Sequence, residues 1–183
     1  FGLDIFKANG YKTIGIFNSP FFFGTSQITW DEYYPKERVT KMGGKAITKS
    51  IFESQFKFNI FEDGYNYKNY LQLKKKYLNL SKKNTLFYTH NKYPGHSGNT
   101  GKCAPDEKKL YFERIKKANT EMKNDVSNIL NNDPDSIIVL LSDHGPYLTK
   151  NCRTLENYDI NSIDKYDIQD RYGTFLSIYW PND

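Results

Sequence analysis

The stretch from Thr85 to Gly145 constrains the fold more than any other part of the sequence, because it reads as a strand, a long helix and a second strand in succession. Thr85 to Tyr88 is short and β-prone and runs into Thr89-His90. From Pro105 or Asp106 onward, Tyr111, Ile115, Ala118, Met122, Val126 and Ile129 recur at steps of four and three, the stripe by which a helix faces a core. Asn131-Asn132-Asp133-Pro134 ends it. Ile137 to Ser142 is a run of apolar or small residues that reads as a fully buried strand. Such a crossover makes its two strands parallel and is almost always right-handed. The expected fold class is therefore α/β, a mainly parallel sheet flanked by helices, with the loops after both strands opening on the edge where such sheets bind ligands.

The second strand runs straight into Asp143, His144 and Gly145. An adjacent Asp and His offer an oxygen and a nitrogen ligand to a divalent metal, and the glycine lets the backbone turn so that both point at one centre. An Asp capping the following turn beside a locally bonded His would account for the same residues. The histidine count weighs toward a site. The sequence has three histidines, His90, His96 and His144, and all fall in the two loops that the crossover brings together.

The remainder extends the α/β pattern. Leu3 to Lys7 reads as the end of a helix stopped by Asn9-Gly10, and Lys12 to Phe17 as a strand. Asn18 to Tyr34, with Pro20, three successive Phe, Trp30 and two Tyr, reads as a long loop packed over the sheet or walling a pocket. Lys41 to Ser50 has a glycine pair and a lysine but lacks the leading glycine and the Lys-Ser/Thr step of a phosphate-binding P-loop. Ala46 to Phe56 and Tyr67 to Leu78 read as helices whose lysines form a solvated face. Asp159 to Tyr172, carrying Asp164, Asp167, Asp170 and Arg171, reads as a charged loop or short helix before a closing strand, Gly173 to Trp180. Asp170 and Arg171 precede that strand, so a parallel sheet puts them on the wrong edge unless the loop folds back.

Composition narrows the partners. Net charge is +5, yet 22 of the 26 basic residues are Lys, scattered among Asn, Tyr and Asp. Phosphate forks favour Arg, and no basic and aromatic stripe of a nucleic-acid module occurs, so no nucleic-acid partner is expected. No membrane span or signal peptide is visible. The 183 residues are read as one domain, 1–183, and the opening on Phe1 as the sign of a piece of a longer chain, with room for an upstream anchor. The two cysteines, Cys103 and Cys152, lie seven residues after His96 and eight after His144, in polar loops. Pairing between them would imply an extracytoplasmic compartment, whether periplasmic, extracellular or lumenal; two unpaired thiols are the alternative.

VLLSDHG closing an apolar strand, the histidine-bearing PGHSG loop after the preceding strand, and a last strand ending in Trp-Pro together resemble the carboxyl-terminal half of sulfatase-like enzymes of the alkaline phosphatase superfamily. Within that superfamily the sequence resembles lipoteichoic acid synthases, phosphoethanolamine transferases and other sulfatase-like hydrolases or transferases. The resemblance covers Leu86 to Tyr179 well and the rest loosely. It implies an alkaline phosphatase-like fold incomplete at its amino end and a metal-dependent hydrolase or transferase of sulfate or phosphate esters, glycan-borne and lipid-linked esters included. It implies Asp143 and His144 as metal ligands, and His96, with His90 second, as the histidine meeting the transferred group. Arg171 is the residue suited to neutralise that anion. The metal would be zinc, manganese, calcium or magnesium. The family's nucleophile and first metal-binding acid follow a strand upstream of the one at Lys12, and no Cys/Ser/Thr-x-Pro-x-Arg pattern occurs in this sequence. Two other readings follow: a catalytically inactive sulfatase-like binding domain, and a small structural zinc module built from Cys103, Cys152, His96 and His144.

Overall fold

The computed structural model describes residues 2–18, 30–34, 67–80, 84–91, 93–97, 106–149 and 160–181. The chain divides into two compact units, Phe1–Asn91 and Lys92–Asp183. The helix expected over Ala46 to Phe56, the P-loop-like segment, and both Cys103 and Cys152 lie outside the described residues.

The first unit is mixed α/β. Helix α1 (Gly2–Ala8) ends where Asn9-Gly10 predicted. Gly10 takes φ +77°, its N–H donates to the Lys7 carbonyl (3.0 Å) and that of Tyr11 to the Phe6 carbonyl (3.0 Å). This is the paired bonding of a Schellman stop, and the Phe6 and Tyr11 rings close it at 5.6 Å. Strand β1 (Lys12–Phe17) lies between β2 (Glu32–Tyr34) and β3 (Thr85–His90), parallel to both. Glu32–Tyr34 was part of the segment read as loop; its three residues gain regular structure by pairing with β1.

Burial on both faces explains the near-continuous apolar sequence of β1. Ile14 and Ile16 pack against Tyr70 of α2 (Tyr67–Leu78). On the other face Gly15 leaves room for aromatic rings: a Cβ there would stand 2.7 Å from the Phe17 ring and 2.9 Å from Trp30. Phe17, Trp30 and Tyr88 pack within 6 Å of one another, centroid to centroid, at 5.4, 5.8 and 5.9 Å.

Polar groups of this unit satisfy one another. Asp31 Oδ2 accepts from both the N–H and the hydroxyl of buried Thr13 (2.7 and 2.9 Å), and Lys7 pairs with Asp31 Oδ1 at 3.0 Å. The Thr13 N–H, then Lys7 and the Thr13 hydroxyl, hold the Asp31 carboxyl down at a pKa of about 2. Glu32 bonds Lys12 and the Tyr77 hydroxyl, which pushes the Tyr77 pKa up. Lys74 departs from the solvated face expected of its helix. It is buried four residues from Tyr70, and both donate to Asn91 Oδ1, at 2.9 and 2.6 Å.

The second unit holds α3 (Glu107–Asn132), β4 (Ile138–Leu141), a 3-10 turn at Ile160–Ser162, α4 (Lys165–Tyr172) and β5 (Leu176–Tyr179). Ala118 is the buried centre of the predicted stripe on α3, while Phe112 is 59% exposed. The start of α4 carries a capping box. Asp164 Oδ1 accepts from the N–H groups of Tyr166 and Asp167, and Asp167 Oδ2 accepts from the Asp164 N–H.

Two expectations are corrected here. Among the described residues β3 pairs with β1, whereas β4 pairs antiparallel with β5, so the strands flanking α3 stand in different sheets there. Nor is β4 fully buried. Ile138 is buried, but Val139 and Leu141 are 48% and 62% exposed, as are their partners Ile178 and Leu176 at 56% and 64%. In a pleated pair alternate residues face opposite sides, so an unbroken apolar run does not require two covered faces. No helix among the described residues is long and apolar enough to cross a membrane.

Candidate functional site

At the end of β4, Ser142 continues the pairing by donating its N–H to the Phe175 carbonyl (2.9 Å) and accepting the Phe175 N–H on its hydroxyl (2.8 Å). The chain then turns through Asp143-His144-Gly145. Gly145 is buried, its N–H donates to the Arg171 carbonyl at 3.2 Å, and a Cβ on it would stand 2.0 Å from the Asp170 carbonyl oxygen. Only glycine lets this loop lie against the end of α4.

Asp170 fixes the next turn. Its carboxylate accepts from the N–H of Leu148 (3.0 Å) and from the N–H and hydroxyl of Thr149 (2.9 and 3.0 Å), and its carbonyl from the N–H of Tyr147 (3.3 Å). Asp170 and Arg171 therefore lie beside the Asp-His loop, opposite to the parallel-sheet expectation. β5 runs antiparallel to β4 with Leu176 opposite Leu141, so residues preceding β5 fall at the carboxyl end of β4.

Residues 94–97 of the PGHSG loop meet the Asp-His loop at Pro146. The Ser97 N–H donates to the Pro146 carbonyl (2.8 Å). Arg114 of α3 donates to the carbonyls of Pro94 (3.0 Å) and His96 (3.4 Å) and pairs with Glu107 at 2.7 Å. Gly95 takes φ +63° at the bend.

The two histidines share one arrangement. His96 Nδ1 donates to the Ser97 carbonyl at 2.7 Å and His144 Nδ1 to the Gly145 carbonyl at 2.8 Å. A carbonyl can only accept, so in each neutral ring Nδ1 carries the hydrogen and Nε2 keeps its lone pair, the state a metal or a proton transfer requires. The ring centroids are 5.6 Å apart. His144 Nε2 stands 3.6 Å from Asp143 Oδ2; two ligands about 2.0 Å from a tetrahedral ion sit roughly 3.3 Å apart. Asp143 is mostly exposed, and its other oxygen accepts the His144 N–H at 3.0 Å. The pair thus fits two ligands of a divalent ion, while no group of three His, Cys, Asp or Glu suited to one occurs among the described residues.

Tyr147 was not singled out from the sequence. Its ring stacks on His144 at 4.7 Å and 7°, lies 5.1 Å from His96, and carries the Arg171 guanidinium 4.0 Å above its centroid. Its backbone takes φ +60°, a conformation costing a side-chain-bearing residue about 1–3 kcal/mol. Tyr147 stands where such a backbone favours glycine, so the sequence gave no sign of that turn. Ser97 Oγ is buried and has no hydrogen-bond partner among the described residues.

His90 belongs to the first unit, where its Nδ1 meets Asn18 Oδ1 at 2.9 Å.

Compared with known proteins, the chain matches no family model, no curated protein and no solved structure.

Proposed function

We propose that the loops at the carboxyl end of β4 form part of a metal-dependent site for a sulfate or phosphate ester, in a sulfatase-like hydrolase or transferase. The observation that carries this reading is the shared state of His96 and His144, both with Nδ1 committed to a backbone carbonyl, beside Asp143 and Arg171. Asp143 and His144 would hold the ion, which when bound supplies Lewis-acid charge and lowers the pKa of a nucleophile. His96 would meet the transferred group, exchanging a proton through Nε2. Arg171 makes no side-chain hydrogen bond or ion pair among the described residues, and its donors suit a tetrahedral oxyanion. His90 is the second choice for the group-contacting histidine. The imidazole ligand favours zinc or manganese over calcium or magnesium.

The absence of the family's Cys/Ser/Thr-x-Pro-x-Arg pattern from this sequence favours a second reading, an inactive sulfatase-like domain that keeps oxyanion binding. Metal content by mass spectrometry separates both from a structural zinc module. Metal retained in Cys103→Ser and lost in Asp143→Asn supports the ester site; zinc lost only in Cys103→Ser overturns it. In a longer chain carrying a nucleophile, turnover of p-nitrophenyl sulfate or phosphate that disappears in His144→Ala supports the enzyme over the inactive domain.

A further inference from the structure

Three groups that would meet the ion or the ester, His144, His96 and Arg171, all contact one side chain. That side chain is Tyr147, stacked on His144 at 4.7 Å, under the Arg171 guanidinium at 4.0 Å and 5.1 Å from His96. Among the described residues the Arg171 guanidinium makes no hydrogen bond and no ion pair, so the Tyr147 ring is the contact that orients it there. His144 has a hydrogen bond at Nδ1, which fixes its tautomer but leaves the ring free to tilt about that bond. A flat ring pressed parallel to the imidazole removes the tilt.

The backbone points the same way. Tyr147 adopts φ +60°, where glycine would be unstrained and an aromatic residue is not. The strained conformation is retained by the ring's contacts with His144 and Arg171 and by the two bonds that Asp170 accepts around it, from the N–H groups of Tyr147 and Leu148.

We propose that Tyr147 is a positioning residue, its ring acting as a spacer that holds the His144 imidazole and the Arg171 guanidinium in fixed relation to a tetrahedral oxyanion. The proposal rests on the oxyanion-site reading above. It assigns the work to the ring and none to the hydroxyl. The spacer also explains why the turn carries Tyr where glycine would relieve strain.

The test compares Tyr147→Phe, Tyr147→Ala and Tyr147→Gly with the unaltered chain, loaded with zinc and titrated with inorganic phosphate by calorimetry, with thermal unfolding and the His144 ring proton shifts recorded alongside. Tyr147→Phe is expected to bind phosphate within twofold of the unaltered chain and to keep the ring-current shift of His144. Tyr147→Ala and Tyr147→Gly are expected to lose at least tenfold in phosphate affinity and to lose that shift. Tyr147→Gly should unfold at a temperature no lower than Tyr147→Ala, because it removes the strain together with the ring. Phosphate affinity unchanged in Tyr147→Ala, while the unaltered chain binds, overturns the spacer and leaves the site reading standing. Affinity lost equally in Tyr147→Phe also overturns it, by assigning the work to the hydroxyl. An unaltered chain that binds neither zinc nor phosphate overturns the site reading itself, and the spacer with it.

Discussion

The histidine-bearing loops of the second unit treat their polar side chains unlike the sheet of the first. In the first, charges and amides close on one another: Asp31 with Thr13 and Lys7, Glu32 with Lys12 and Tyr77, Asn91 with Tyr70 and Lys74, His90 with Asn18. In the second, His96, His144 and Arg171 are gathered around one ring with their outer donors and acceptors unengaged by described residues. The histidines themselves mark the contrast. His90 faces a side-chain amide, which can present oxygen or nitrogen by turning over, so no tautomer is imposed. His96 and His144 face backbone carbonyls, which impose one. A histidine's presence near a sheet edge is weak evidence of a site, while a fixed tautomer beside a carboxylate and a guanidinium that no described residue pairs is stronger.

The largest expected difference between the units concerns two glycines. Gly145→Ala in the second unit would drive a Cβ to 2.0 Å from a backbone oxygen of α4, which can yield only if the loop leaves the helix. We expect a loss of at least about 3 kcal/mol in urea unfolding, together with loss of the zinc affinity proposed for this loop. Gly15→Ala in the first unit meets the rings of Phe17 and Trp30, which can rotate away, so its cost should be smaller, about 1–3 kcal/mol. Equal costs would mean that the close approach at Gly145 is not maintained in solution.

Acid titration sharpens the comparison next. The Asp31 carboxyl titrates at about 2 in the folded chain against an ordinary 3.8. A depressed folded pKa contributes stability that is fully present above the unfolded value and is lost as pH falls through the folded one. The first unit should therefore lose stability between pH 4 and pH 2, and Asp31→Asn should flatten that slope in unfolding curves recorded across the window. An identical slope in the variant would deny Asp31 this role.

The smallest effect is expected at Ser97. Its buried hydroxyl has no partner among the described residues, so Ser97→Ala should leave stability unchanged or raise it by up to about 1 kcal/mol. A clear loss of stability would show that the hydroxyl is bonded in solution, and a loss confined to phosphate affinity would bring it into the site.

Much of the local structure was legible in the residues. Asn9-Gly10 marked the stop of α1, the alternation of Lys12 to Phe17 marked β1, and the step of four and three from Tyr111 to Ile129 marked the inward stripe of α3. Within the candidate site, Asp143 and His144 were marked by their place at the end of an apolar strand, and the structure brings His96 to them. Glu32 to Tyr34 was missed as a strand, since three residues carry no period and only the neighbouring β1 makes them extended. Lys74 was read as solvated because lysine's charge outweighs its position in any sequence scale, whereas the fold supplies Asn91 to receive it.

What the sequence determined by itself is therefore the longer elements among the described residues and the residue types at their ends, because helix period, capping and strand alternation are set by residues within a turn or two of one another. What the tertiary structure decided is strand direction and everything that follows from it. The antiparallel pairing of β4 with β5 carries Asp170 and Arg171 to the Asp-His loop, and Asp170 in turn bends the backbone of Tyr147 until its ring meets His144. Pairing direction depends on hydrogen bonds between segments more than 30 residues apart, and no local pattern encodes it.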